Sequence, residues 1–307
     1  MTELPGQLGE KIRKVAPERI LLLLLLLLAV GLGVFAWRMM PQPLQVISFA
    51  VGDGDAFLIR SPSGRNVLID GGSRTINDVG KQVLVPNLYL LGVRNIDAII
   101  ITHPDSDHLN GLPAVLGAIP VGTILTGDGY CDSTPFQQVL SIAAERKVPL
   151  QHIHAGAELN LGAGAKLKVL APGPVPLRNT GADDNNNSVV TRLDYRNTRM
   201  LFTGDLETAG EQALLAQPGE LRADVLKVAH HGSAHGSIDP FLDAVKPSYA
   251  LLSAAGNADH PNPKVLARLR TRQITPWRTD ILGRMVLSTT GNGWHETHYR
   301  NEAVAGR

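Results

Sequence analysis

The sequence predicts an α/β domain built on mixed β-sheets, preceded by one hydrophobic N-terminal segment. Three observations point there. Short apolar runs of strand length alternate with helix-length amphipathic stretches along most of the chain. The 307 residues are 44% hydrophobic and 19% charged with a formal net charge of +1, the composition of a folded chain rather than a disordered one. Only the stretch from Ile20 to Trp37 is uncharged and long enough for a bilayer, which excludes a polytopic membrane protein. The single cysteine, Cys131, excludes a disulfide scaffold, and the 31 glycines show no collagen-like period. Near-neutral charge argues against nucleic-acid binding by electrostatics alone.

The N-terminal segment is read as an anchor. Ile20 to Trp37 lacks the polar stripe of a buried amphipathic helix, and at about 1.5 Å per residue it reaches roughly 27 Å, near the hydrocarbon thickness. Lys11, Arg13, Lys14 and Arg19 precede it and only Arg38 follows closely, so the N-terminus is expected to stay in the cytoplasm while the rest is exported. Val34-Phe35-Ala36 is a weak cleavage site behind an apolar run too long for a usual signal peptide, which favours an uncleaved signal anchor. The expected organisation is a cytoplasmic N-terminus (1–19), a transmembrane anchor (20–38), a linker (39–44), one folded domain (45–300) and a tail (301–307).

Within the domain, Gln45 to Phe49, Ala56 to Arg60 and Val67 to Ile69 read as strands, with a turn at Pro62-Ser63-Gly64. Helical spacing follows from Val79 to Leu91. Ala98 to Ile101 is a short buried strand that runs into His103. Gly111 to Leu116 and Pro135 to Lys147 are expected helices, with a strand at Thr123 to Leu125 between them. In the second half, Lys166 to Leu170, Val189 to Tyr195, Arg199 to Phe202, Val225 to Val228 and Tyr249 to Leu252 read as strands. Thr208 to Gln217 and Pro263 to Arg272 read as helices. Met285 to Ser288 and Trp294 to Tyr299 form a last hairpin around Gly291-Asn292-Gly293.

Chemistry concentrates in Thr102-His103-Pro104-Asp105-Ser106-Asp107-His108, directly after an apolar strand. Carboxylates this close repel unless a cation sits between them; the plainer reading is a polar turn in which Asp105 or Ser106 caps a helix. Further acids and imidazoles recur at strand ends: Asp70 before Gly71-Gly72, Asp205 after Thr203-Gly204, and His230-His231-Gly232-Ser233. His260 lies in the loop after the strand at Tyr249. An α/β sheet assembles a site from distant sequence in this way.

The set resembles the metallo-β-lactamase-fold hydrolases and, more narrowly, the soluble hydrolase domain of ComEC-type DNA-uptake proteins. The matching pieces are Val51-Gly52-Asp53-Gly54-Asp55-Ala56, Leu68-Ile69-Asp70-Gly71-Gly72, His103 to His108, Asn187-Ser188, Thr203-Gly204-Asp205 and His230-His231-Gly232-Ser233, spanning about residues 45 to 290. The resemblance implies an αβ/βα sandwich of two mixed sheets with metals at one edge. Asp105 replaces the middle histidine of the broad His-x-His-x-Asp-His pattern, and Asn187 stands near the next ligand histidine's position. Both departures are shared with the ComEC-like branch. The more oxygen-rich donor set makes manganese as fitting as zinc.

By that analogy two divalent ions are expected. His103 and Asp105 would hold one, Asp107 and His108 the other, and Asp205 would bridge them. His230, His231 and His260 compete for the remaining ligand position and for protonating the leaving group; Asp107 and the His230-His231 pair are the expected catalytic groups. Asp70 would orient a ligand histidine, and Asn187 and Ser233 would sit near metal or substrate. His152 and His154 share a strand face but show no nearby carboxylate in sequence, so a solvated face is expected, and His235 reads as a loop residue. Lys264, Arg268 and Arg272 share one helix face, also read as solvated. Cys131 is expected to be inert.

The expected protein is a single-pass, inner-membrane hydrolase with its domain outside the cytoplasm, cleaving phosphodiesters with zinc or manganese. Single-stranded DNA is the substrate the resemblance implies, with competence-type subunits as partners. DNA transport is not expected from one span. Two other readings stay open: a small-molecule or envelope phosphoesterase, for example on phosphocholine-bearing polymers, and a non-catalytic accessory protein binding DNA or partner subunits.

Overall fold

The computed structural model describes residues 17–39, 42–128, 133–217, 219, 221–257 and 259–299. The expected tail (301–307), most of the cytoplasmic segment, and Cys131 lie outside the described residues. The chain divides into two units, Met1–Gln42 and Pro43–Arg307.

The first unit contributes the helix Pro17–Met39. Its leucines 21 to 28 are all 52–66% exposed. Among the described residues no helix is long and apolar enough to cross a membrane. The expected segment is helical over Pro17–Met39.

Among the described residues the second unit holds fifteen strands: β1 Leu44–Ser48, β2 Phe57–Arg60, β3 Asn66–Ile69, β4 Ala98–Ile101, β5 Ile124–Thr126, β6 Leu150–His152, β7 Glu158–Gly162, β8 Ala165–Ala171, β9 Val190–Tyr195, β10 Thr198–Phe202, β11 Val225–Lys227, β12 Tyr249–Leu252, β13 Thr275–Arg278, β14 Arg284–Thr289 and β15 His295–Tyr299. They form two sheets, in the orders β15-β14-β1-β2-β3-β4-β5-β6 and β13-β12-β11-β10-β9-β8-β7. Both are mixed: β1–β2–β3 run antiparallel and β3–β4–β5–β6 parallel, while β8–β9–β10 run antiparallel and β10–β11–β12–β13 parallel.

Alternation along the strands builds the layers. Val46, Phe57, Ile59, Val67 and Ile69 of the first sheet meet Leu193, Met200, Phe202, Val225 and Leu251 of the second in one buried cluster. The intervening residues Ile47, Leu58, Leu68, Ile99 and Ile101 face outward onto Leu112, Val115, Phe136 and Val139 of the helices Leu112–Ala118 and Thr134–Glu145. On the second sheet Leu201, Leu226, Ala250 and Leu252 face Phe241, Leu242, Val265 and Leu269 of the helices Asp239–Val245 and Pro263–Thr271. Two sheets face to face with helices on both outer sides make the αβ/βα sandwich. Phe57 and Phe202 meet edge to face at 5.6 Å between the sheets, and truncating either to alanine is expected to cost about 3–5 kcal/mol.

Several short elements escape a pattern reading, and three of them show why. The strand β13 carries Pro276, which the ladder tolerates because β13 is the edge of its sheet. The strand β7 is short and alternates, turning Leu159 and Leu161 inward while Glu158 and Asn160 are exposed. The helix Asp239–Val245 begins with a proline in its first turn and is only seven residues long.

Candidate metal centre

The site forms where the strands run out. Ala98, Ile99, Ile100 and Ile101 are all buried, so the first polar groups after β4, Thr102 and His103, fall at the sheet edge. Asp70 follows β3 in the same way, Asp205 follows β10, and Lys227 ends β11 ahead of the 3-10 turn Ala229–Gly232. His230 and His231 there take left-handed φ values of 48° and 54°, a conformation that costs non-glycine residues about 1–3 kcal/mol and clusters at functional sites.

Asp105 stands at the N-cap of the helix Ser106–Leu109 but makes no side-chain capping bond. The capping reading of this motif therefore does not hold for it. Its Oδ2 instead lies 3.6 Å from His103 Nε2. The same short helix buries Asp107 and His108.

The imidazoles show how the site is prepared. His108 Nδ1 donates to Asp70 Oδ2 at 2.8 Å, His103 Nδ1 to Thr102 Oγ1 at 3.0 Å, and His231 Nδ1 to the Ser253 carbonyl at 3.0 Å. Thr102 Oγ1 in turn donates to Asp70 Oδ2 at 2.8 Å. With each Nδ1 engaged as a donor, each Nε2 keeps its lone pair. All three Nε2 atoms are buried without a hydrogen bond. His108 Nε2 lies 3.2 Å and His231 Nε2 3.3 Å from Asp205 Oδ2, and His231 Nε2 lies 3.4 Å from Asp107 Oδ2. Two atoms sharing a tetrahedral ion at ~2.0–2.1 Å are about 3.3–3.4 Å apart. The residues fit a divalent cation: ligand atoms of Asp107, His108, Asp205 and His231 all lie within 4.8 Å of one another.

The electrostatics agree. Burial opposes charge on His108 and His231, yet Asp205 prevails in both, joined by Asp70 at His108 and Asp107 at His231. His108 rises well above its ordinary pKa and His231 rises to about 10. Burial also opposes ionisation of Asp107 and Asp205, but the imidazoles hold both carboxyls below the usual range. Without a metal, protons take the place that a cation would fill.

His230 and His260 ring this cluster from its more open side. His230 Nδ1 is 3.1 Å from Glu207 Oε1, and its Nε2 is 3.8 Å from Asp205 Oδ2. Burial first, and then the neighbouring imidazoles, outweigh the carboxylates and lower the His230 pKa. His260 Nδ1 faces Asp53 Oδ2 at 3.5 Å, with its ring 5.5 Å from that of His230. The exposed Arg74 reaches Asp107 Oδ2 at 2.7 Å.

Other expected residues lie apart from the cluster. The Asn187 amide is spent on Leu177 N, the Leu177 carbonyl and the Asp183 carbonyl, so it clasps a loop. Ser188 Oγ, its neighbour, accepts from Asp205 N at 3.2 Å. Ser233 Oγ accepts from His235 N within its own turn, and His235 is an exposed loop residue. His152 and His154 do have a carboxylate: Asp128, just beyond β5, pairs with both at 3.0 and 2.7 Å. Sequence separation hid it, but these groups do not converge as the central ones do. The basic helix face is not simply solvated either, since Arg268 holds the carbonyls of Gly236 and Ser237 and Arg272 pairs with Asp239 and Asp243.

Pattern reading placed Asp53 and Asp55 in a matching motif without giving them a role, and passed over Arg74, Glu207 and Lys227. The last left a signal: a charged residue inside an apolar strand needs a buried partner. Lys227 is 1% exposed and pairs with Asp55.

The geometry can be set beside known proteins. The family model for the metallo-beta-lactamase superfamily matches residues 50–256. "ComE operon protein 3" of Bacillus subtilis is 31% identical over 89% of this chain and 36% of its own length. "Competence protein ComA" of Neisseria gonorrhoeae is 33% identical over 76% of this chain and 30% of its own. The chain thus spans about a third of these relatives. Zinc-bound PqqB of Methylobacterium extorquens superposes with a TM-score of 0.52 at 14% identity, covering 76% of this chain and 97% of that one. The metallo-beta-lactamase fold protein YhfI of Bacillus subtilis gives 0.51 at 12% identity, covering 83% and 100%. These likenesses in structure speak to the fold alone. With more than half of its length matched by the family model and curated relatives among the ComEC-type competence proteins, this chain belongs to the metallo-β-lactamase superfamily.

Proposed function

We propose that the chain is a two-metal hydrolase of phosphodiesters, held at the outer face of a bacterial inner membrane by its N-terminal helix. The observation that carries the reading is Asp205 Oδ2, which faces the Nε2 atoms of His108, His231 and His230 at 3.2, 3.3 and 3.8 Å. One carboxylate oxygen directed at several imidazoles suits a shared ligand. Asp107, His108 and His231 would hold one ion with Asp205, and His103 and Asp105 the other. His231 fits the buried ligand position better than His230 or His260. Nitrogen and carboxylate donors without sulfur suit zinc or manganese. Bound there, divalent ions supply Lewis-acid polarisation of a phosphoryl oxygen and activation of water.

The chain's own residues do the rest. Glu207 accepts from His230 Nδ1, which leaves Nε2 as the basic nitrogen facing the cluster. The lowered His230 pKa keeps that imidazole neutral near pH 7, able to take a proton from the attacking side and return it to the leaving oxygen. Arg74, exposed at the mouth, has donors to spare for a phosphate oxygen while one stays on Asp107. Asp53 braces His260 beside them.

The anchor rests on the exposed leucine run and on the basic residues Lys11, Arg13, Lys14 and Arg19 before it. A nucleic-acid strand outside the cytoplasm is the favoured substrate, supported by the competence relatives, and competence-type subunits are the fitting partners.

The test uses the full chain in detergent, stripped of metal and reloaded with manganese or zinc. Bis-p-nitrophenyl phosphate, single-stranded DNA and a phosphocholine diester are assayed beside Asp205→Asn. Metal-dependent turnover lost in the variant supports the reading, and the preferred substrate separates nuclease from small-diester esterase. Metal bound with no turnover of any of the three would sink it in favour of an accessory role.

A further inference from the structure

Lys227 ends β11, and its ammonium lies at the floor of the metal centre, 1% exposed. It pairs with Asp55 Oδ2, donates to the Gly204 carbonyl at 2.8 Å and reaches Asp205 Oδ1 at 3.4 Å. Asp55 belongs to the loop between β1 and β2 of the first sheet, and Asp205 follows β10 of the second. One buried cation therefore ties together loops from both sheets.

The two oxygens of Asp205 are divided by this arrangement. Oδ1 faces Lys227, while Oδ2 faces His108, His231 and His230. A carboxylate with one oxygen on a fixed cation cannot swing freely about its terminal torsion, so the other oxygen stays aimed at the imidazoles. Asp55 is affected differently. It forms a second acid–imidazole group with Asp70 and His108, at 3.9 Å from His108 Nδ1, which could attract a divalent ion to the inner side of His108. Lys227 neutralises Asp55 there. His108 Nδ1 stays with Asp70, and its Nε2 stays free for the outer side.

We propose that Lys227 is a positioning residue: an internal monocation that holds Asp205 in its metal-binding orientation and removes Asp55 from the ligand set. Its contribution goes beyond neutralising a buried acid. Metal affinity at the Asp107–His108–Asp205–His231 cluster depends on it. The inference rests on the divalent-ion reading of that cluster.

The test is manganese titration by calorimetry of the demetallated full chain in detergent, together with melting in EDTA. Wild type, Lys227→Met, Asp55→Asn and the double variant Asp55→Asn/Lys227→Met are compared. Lys227→Met leaves Asp55 buried and unpaired, so its EDTA melting point is expected to fall. The double variant removes that lone charge and is expected to recover the melting point, yet to bind manganese at least tenfold more weakly than wild type. Asp55→Asn keeps Lys227 on Asp205 and is expected to stay within threefold of wild type. The proposal is overturned if the double variant binds manganese as wild type does, or if Asp55→Asn alone loses as much affinity as the double. A wild-type chain that binds no manganese or zinc would instead refute the underlying metal reading.

Discussion

Asp70 and His108 are joined, fully buried, by a 2.8 Å hydrogen bond from Nδ1 to Oδ2. The same carboxylate oxygen accepts from Thr102 Oγ1, which carries the bond onward to His103. One acid that reaches the candidate ligands from their Nδ1 side thus sets the tautomer of two imidazoles. Asp70→Asn puts an amide, with donors of its own, against His108 Nδ1 and favours the wrong tautomer. Metal affinity is expected to fall about 10–100-fold, read by calorimetric titration with manganese. Unchanged affinity would show that Asp70 serves only to tie β3 to β4.

The pH dependence of the metal-free fold follows from His231. Burial works against its charge, but Asp205 and Asp107 raise its pKa from 6.5 to about 10. The folded state holds the proton more tightly than the unfolded chain, so this stabilisation is complete below pH 6.5 and disappears as pH rises through about 10. In EDTA the melting temperature should decline across that window. Divalent affinity should rise over the same range, because the ion must displace the proton. An EDTA melting curve that is flat with pH would contradict both statements.

Gly72 is required by close approach. A Cβ there would fall 2.5 Å from His108 N and 2.6 Å from the Asp107 carbonyl. Gly72→Ala must push away the segment that carries two candidate ligands. Overpacking of this kind costs about 1–3 kcal/mol or more, and metal binding should be lost with it. Circular dichroism melts and metal content after dialysis report the two effects, and a variant with wild-type values in both would refute the prediction.

Glu211, on the helix Thr208–Leu215, is fully buried and accepts from Ser237 N and Ile238 N just beyond the His230-His231 turn. Burial outweighs those bonds and lifts its pKa from 4.5 to about 8. The fold prefers the protonated acid, so stability is full below 4.5 and falls as pH rises through about 8. Glu211→Gln has no proton to lose. The melting temperature of wild type relative to the variant should drop between about pH 5 and pH 9. A constant difference would place the burden on hydrogen bonding instead.

The layers of this fold were legible because period-two strands and helical faces are local patterns. Alternation of Val46 with Ile47 and of Phe202 with Leu201 already assigns one side to each residue. The polar and edge elements were less legible. In β7 only Leu159 and Leu161 turn inward between exposed Glu158 and Asn160, too short a run to stand out, and Pro276 in β13 contradicts a central strand but not an edge.

By itself the sequence determined which residues could meet. Apolar strands ending in Asp70, His103, Asp205 and the His230-His231 pair force polar groups to one sheet edge, since only the edge leaves the core. Tertiary structure alone decided which atoms face each other. It separated His231, inside the cluster, from His230 and His260 around it, because two successive left-handed residues send adjacent side chains different ways. It also brought Asp55 to Lys227 and Asp128 to His152 and His154 across long stretches of chain. Those pairings depend on strand order and register: Asp55 meets Lys227 across the two sheets, and Asp128 meets the histidines because β5 and β6 are parallel neighbours in one sheet, and local spacing names neither partner.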